Sequence, residues 1–284
     1  VTWLIDLARF GLERAAAVWS RPESVGTVGA LMLLLVATPG LKGRARPGFR
    51  GYLKRSFLTD AAYTVFYVGG FYAFFVSGPA YRYLSAWVDS HASFLRVDAL
   101  AGWPAWAHFV VLYAAMDGIN YWVHRALHAS PLLWAFHSIH HSQRELTPLT
   151  NFRFHFVDIF VRMLVQFLPG LVLGTPSAVW IPSIWLQTAF EALAHADLDW
   201  SYGRLGRVFV SPAFHRLHHS LEPRHHNRNF STGLSFWDGL FGTAVADLRR
   251  PSAYGTPAPE PPESFLRQLV YPFARLARGA VWRA

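Results

Sequence analysis

The sequence predicts an all-α chain, an integral membrane helical bundle with a cytoplasmic histidine-rich cap. Three observations predict it. Hydrophobic residues make up 52% of the 284 and charged residues only 15%, where an average soluble domain carries roughly 25% charged. The apolar residues gather in long runs separated by short basic or Gly/Pro-rich stretches. The 14 histidines gather in short motifs with helical spacing. Disorder is excluded as a description of the whole, because it needs low hydrophobicity and high charge. Cysteine is absent, which excludes disulfides, Cys-ligated zinc, iron–sulfur clusters and a cysteine nucleophile. The net charge is +9, and of 26 basic residues all but Lys42 and Lys54 are arginine. No nucleic-acid module accompanies that charge. An anionic membrane surface is the better partner for it, and nucleic acid is not expected.

The elements follow in order. Residues 1–24 form an N-terminal segment without a secretory signal pattern. Within it Ile5 to Trp19 reads as an amphipathic helix lying at the interface. Residues 25–123 hold the transmembrane helices. The first span runs from Val25 to Gly40, the second from Ala61 to Leu84 and the third from Pro104 to Val123. The loop from Lys42 to Arg55 carries six basic and no acidic residues, which places it in the cytoplasm. Residues 124–248 hold the histidines and one more apolar stretch, 157–190. Its Pro-Gly and Gly-Thr-Pro break at 169–176 reads as a helical hairpin that dips into the membrane and returns. Arg162 and Gln166 indicate that it does not face lipid all round. Residues 249–284 combine a Pro-rich linker with an amphipathic tail kinked at Pro272. By this topology nearly all the histidines lie on the cytoplasmic side, with a bacterial cytoplasmic membrane the expected location.

The histidines carry the chemistry. His124 and His128 are one helical turn apart, so both imidazoles share a face. His137, His140 and His141 offer i,i+3 and i,i+4 pairs, and His215, His218 and His219 repeat that pattern. His155 opens the hairpin and His195 follows it. At a histidine frequency of roughly 5%, an H-x-x-H-H match is expected about 0.03 times in a chain this long, so two copies are no accident. A site of imidazoles suits iron, zinc, copper or nickel. Ten histidines exceed one tetrahedral zinc and fit two metals. Carboxylates are sparse here, so they would orient ligands rather than bind metal. Asp117, Asn120 and Glu191, which stand one or two turns before histidines, and Asn229 are candidates for that role.

The runs DGINYWVHRALH, HSIHHS, SPAFHRLHHS and NFSTGLSFWDGLFGT together resemble the sterol desaturase/fatty acid hydroxylase superfamily. The resemblance covers residues 110–245, in order and spacing. It implies an integral membrane oxygenase with two non-haem irons, with zinc a possible substitute on isolation. The core ligands it implies are His124, His128, His137, His140, His141, His215, His218 and His219. His195, in AHADLDW, resembles a further ligand. His155, in FRFHFVD, resembles another, although Phe156 stands where many members have Pro. Asn229 and the SFWDGLFGT stretch match the family's tail, whose role is structural. The resemblance further implies O2-dependent hydroxylation or desaturation of a C–H bond in a membrane lipid such as a sterol, hopanoid or fatty acyl chain. With no dinucleotide or haem motif in the chain, the electrons would come from an external donor, a ferredoxin or a cytochrome with its reductase.

Blander readings hold elsewhere. His91 and His108 read as structural hydrogen-bonders, and His225 and His226 as non-ligands. Arg125, Arg144, Arg153 and Arg216 read as partners of carboxylates or lipid phosphate. Trp180, Trp185 and Phe190 are indistinguishable from core packing. The competing class is a membrane metal-binding or transport protein, which would need its ligands at the bilayer midplane. Here they lie beyond the span ends.

Overall fold

The computed structural model describes residues 22–41, 54–72, 78–95, 97, 99–173, 177–245, 247–257 and 260–279. These are helical throughout, with no strand; one isolated bridge joins Ser220 to Tyr254. The amphipathic segment expected at Ile5 to Trp19, and residues 42–53 of the basic loop, lie outside the described residues.

The first span forms helix α1, Pro22–Leu41. The second is not continuous. Helix α2, Arg55–Val68, ends at Gly69; Phe71 and Tyr72 are helical again, and α3 spans Gly78–His91. The Gly69–Gly70 pair is the reason. Gly70 has φ 87°, a conformation that costs other residues about 1–2 kcal/mol. Helix α4, Ala105–Ala129, runs through the third span and beyond it to both histidines of H-x-x-x-H. Residues Leu112, Met116, Asn120, His124 and His128 form a buried stripe four residues apart. One helix face thus passes from apolar packing to nitrogen ligands within four turns.

Both H-x-x-H-H motifs are built the same way. Helix α5, Pro131–His141, is capped by Ser130, whose side chain accepts from the Leu133 amide. Helix α8, Pro212–His218, is capped by Ser211, which accepts from the Phe214 amide. In each, Pro follows the cap at the first helical position, where a missing N–H costs nothing. The hairpin is two helices, α6, Phe156–Val172, and α7, Ser177–Ala194. Helix α9, Phe236–Leu240, and the tail helix α10, Phe265–Ala277, complete the order. Pro272 lies inside α10.

Helix α4 is the axis, packed against α5, α6 and α7. The connection after α5 is anchored to α2 by a buried ion pair. Asp60 accepts from Arg153, from Gln143 at 2.6 Å and from Thr150 at 3.0 Å, while Arg153 also donates to the Ser56 carbonyl at 2.6 Å. A buried pair is worth keeping only when its remaining valences are satisfied, and here they are. The Pro-rich segment is not a free linker. Leu221 N–H donates to the Ala253 carbonyl and Gly255 N–H to the His219 carbonyl, so it straps the end of α8.

Among the described residues no helix is long and apolar enough to cross a membrane. Large apolar side chains are nonetheless exposed in quantity. Leu33 on α1 is 69% exposed, Trp106 on α4 71% and Leu266 on α10 71%.

Candidate metal centre

Helices α4, α5, α7 and α8 converge on one buried cavity of imidazoles. Nine histidines form two groups. His124, His128, His137, His141 and His218 make the first, and His140, His195, His215 and His219 the second. Within each group the candidate ligand nitrogens lie within 4.8 Å of one another. The groups adjoin, since the His141 and His219 rings stack at 4.5 Å and the His141 and His218 rings meet at 4.7 Å.

The outer nitrogens decide which way the inner ones face. His124 Nδ1 donates to the Phe230 carbonyl at 2.6 Å and His218 Nδ1 to the Arg228 carbonyl at 2.8 Å. His137 Nδ1 donates to Asp158 at 2.6 Å, and His195 Nδ1 to the Glu191 carbonyl at 2.7 Å. Each of these rings therefore carries its proton on Nδ1 and turns a lone pair inward on Nε2. The Nε2 atoms of His124 and His137 are 3.1 Å apart, and so are those of His128 and His141. In the second group the Nε2 separations run from 3.1 to 3.3 Å. Two nitrogens held at about 2.0–2.1 Å from one ion lie roughly 2.8–3.4 Å apart at right-angled to tetrahedral geometry. Facing lone pairs at this distance repel unless a cation lies between them. His218 Nε2 is buried with no hydrogen-bond partner, as a vacant ligand atom would be. The nine residues fit a pair of metal ions.

Burial holds all nine imidazoles below the ordinary histidine value, His195 at about 4 and His218 at about 3. The neutral form is the one that binds metal.

His155 is not brought into either group. Its Nδ1 accepts from the Val157 amide at 3.2 Å and its Nε2 donates to the Leu269 carbonyl at 3.0 Å. Both ring nitrogens are used, so the residue caps α6 and pins α10. Asp117 touches no histidine. It accepts from the Leu234 amide at 3.0 Å and Trp237 Nε1 at 2.9 Å, which anchors the SFWDGLFGT stretch on α4. Asn120 bonds Thr232 at 2.8 Å and accepts from Arg162 at 2.7 Å. Glu191 orients His195 through its backbone carbonyl and not its carboxylate. Asn229 sits at φ 56° and bonds the Phe214 carbonyl and the Val245 amide at 2.9 and 2.8 Å. With Asp238, which accepts from the Phe230 and Ser231 amides, it shapes the loop that presents the Arg228 and Phe230 carbonyls. Gly233 is required there, because a Cβ would lie 2.5 Å from Asp117 Oδ1.

Sequence reading missed Asp158 and those carbonyls. The carbonyls leave no trace in side-chain chemistry. Asp158 left one, as the only acidic residue between positions 146 and 190, with Arg162 one turn on. The expected carboxylate partners are present for three arginines, Arg144 with Glu260, Arg153 with Asp60 and Arg216 with Asp199, while Arg125 lies over the Trp122 ring.

Fold and site together define an all-helical protein with two adjoining histidine groups able to hold metal. Residues 109–243 match the fatty acid hydroxylase family. It is 33% identical to an ornithine lipid hydroxylase of Rhizobium tropici, over 63% of this chain and 54% of that one. It is 29% identical to an alkylglycerol monooxygenase of Danio rerio, over 57% and 34%. It is 28% identical to a methylsterol monooxygenase of Arabidopsis thaliana, over 48% and 47%. The chain thus spans from about a third to about half of these relatives' lengths. No solved structure matches.

Proposed function

We propose that the chain is an O2-dependent non-haem diiron oxygenase that hydroxylates a C–H bond of a membrane lipid. The observation that carries this is the double group of inward-facing, neutral imidazole nitrogens. Relatives named for hydroxylation of ornithine lipid, alkylglycerol and methylsterol support the reaction class. Two irons held there would supply the reduction of O2 and the transfer of one oxygen atom to carbon. The balance is one C–H bond and one O2 consumed with two electrons and two protons, giving an alcohol and water. The two electrons come from a separate donor protein.

The chain's own part is to hold and orient. His124, His128, His137, His141 and His218 would ligate one ion and His140, His195, His215 and His219 the other. Asp158 and the carbonyls of Glu191, Arg228 and Phe230 fix ring orientation, and such partners typically change metal affinity 10–100-fold. Burial excludes water from the cavity, which strengthens every electrostatic interaction inside it. The exposed side chains of Leu33 and Val36 on α1 and Val110 on α4 form the kind of apolar surface that marks a membrane contact. They support a bilayer around the bundle, and the basic loop from Lys42 to Arg55 supports a cytoplasmic side for the histidines.

The test is metal content per chain after purification in detergent, beside a His140→Ala plus His218→Ala variant. Expected are about two irons, lost in the variant, and a lipid of the host membrane that gains one 18O atom under 18O2 only when the unsubstituted chain is present. A well-folded chain with no metal, or lipids without the label, would overturn the proposal.

A further inference from the structure

Arg162 is buried within the apolar hairpin, and the histidine ligands do not touch it directly. Its Nε donates to Asp158 Oδ1 at 2.8 Å and its Nη1 to Asn120 Oδ1 at 2.7 Å. The other Asp158 oxygen holds His137 of the first group. Asn120 in turn donates to Thr232 at 2.8 Å and reaches the Glu191 carboxylate at 3.4 Å. The Glu191 backbone carbonyl holds His195 of the second group. The guanidinium also lies 5.0 Å from the centre of the Phe154 ring, and that ring stacks on His140 at 4.1 Å. One side chain therefore reaches the first group by one route and the second by two.

Such a placement is costly. Taking a guanidinium out of water costs several kcal/mol after relaxation, and a cation beside a site for two dications adds repulsion. An apolar residue would pack α6 against α4 without either cost. What Arg supplies is a rigid planar fork, which holds two acceptors at a fixed angle where an ammonium would not.

We propose that Arg162 is a positioning residue that braces the supports of both histidine groups at once, so that its loss weakens metal binding in each. This rests on the metal-binding reading above. The probe is Co2+, titrated into the metal-free full-length chain in detergent and followed by its visible absorption. In a background with His124→Ala, His128→Ala, His141→Ala and His218→Ala only His137 is left of the first group, so the second group alone is read. There Arg162→Gln is expected to weaken Co2+ binding about 10–100-fold and shift the absorption band, although Arg162 contacts no ligand of that group. Arg162→Lys keeps the charge without the fork and is expected not to restore affinity. If Arg162→Gln does not fold, Asn120→Leu cuts the link between Arg162 and Glu191, together with the bond to Thr232, and leaves the Arg162 bond to Asp158 in place. It is expected to weaken the second group and spare the first.

Binding by Arg162→Gln equal to its parent, rescue by Arg162→Lys, or an Asn120→Leu chain indistinguishable from its parent would each overturn the inference while leaving the metal reading intact. An unsubstituted chain that takes up no Co2+ would overturn both.

Discussion

The two histidine groups share one cavity and differ in how they are held. In the first, three of five rings donate outward from Nδ1 to named acceptors, the Phe230 and Arg228 carbonyls and the Asp158 carboxylate. In the second, His195 has such an anchor, while the Nδ1 atoms of His140 and His219 are buried without a hydrogen-bond partner among the described residues. His140 is held instead by stacking on Phe154. Leaving a buried donor unpaired costs about 1–3 kcal/mol, and a stacked ring retains a rotation that a hydrogen bond would stop. On the proposed metal reading the first group is the better anchored of the two, while in the second His140 is set by packing. Two metals in one cavity need not be held equally.

The largest expected effect separates the groups outright. His124→Ala removes a ring from the first and His219→Ala one from the second. Each should cost about one of two metals and reduce lipid hydroxylation by about a thousandfold or more, as removal of core catalytic parts does. Quantitative metal analysis would break the comparison if either variant lost both ions or neither.

Acid should act on both groups together. The imidazoles lie below the usual histidine value in the folded chain, so the unfolded chain binds more protons between about pH 6.5 and the folded values. The stability of the metal-free chain is therefore full above pH 6.5 and falls as pH drops, toward about 4 for His195 and about 3 for His218. Each histidine contributes up to about 1.4 kcal/mol per pH unit in that window. Thermal melts of the metal-free chain at pH 7.5 and pH 5.5 should show a sharp drop in Tm. A flat profile would mean that the rings are not buried neutral.

Chelation sharpens the contrast. With limiting chelator the second group should release its metal first, about tenfold faster than the first group. This is readable as two phases of metal loss, with the slow phase absent in His124→Ala. A single phase would mean that the missing anchors do not matter.

The smallest effect is expected at His155. His155→Ala should leave both metals in place and destabilise the chain by about 1–2 kcal/mol, the cost of losing a cap and a buried bond. Loss of one metal in this variant would restore His155 as a ligand.

Much of the site was legible because helices repeat. The i,i+4 spacing alone shows that His124 and His128, His137 and His141, and His215 and His219 share faces, and the structure keeps each pair within one group. His155 misled because it stands beside an apolar run in a ligand-like motif, whereas its two nitrogens are spent on backbone in α6 and α10. The second span misled because an apolar run says nothing of φ, and Gly70 turns the chain inside it.

The sequence by itself determined the helical class, the buried histidine pairs and the chemistry they admit, since periodicity and ligand type are local properties. Only the tertiary structure decided how the pairs combine. Successive residues on a helix point about 100° apart, so His140 leaves its neighbour His141 for the second group, and His218 leaves His219 for the first. Each H-x-x-H-H motif thus gives a pair to one group and a single ring to the other. That exchange depends on how α5 and α8 cross α4 and α7, which no local pattern encodes. The same holds for Asp158, Arg162 and the Phe230 carbonyl, whose roles exist only once distant segments meet.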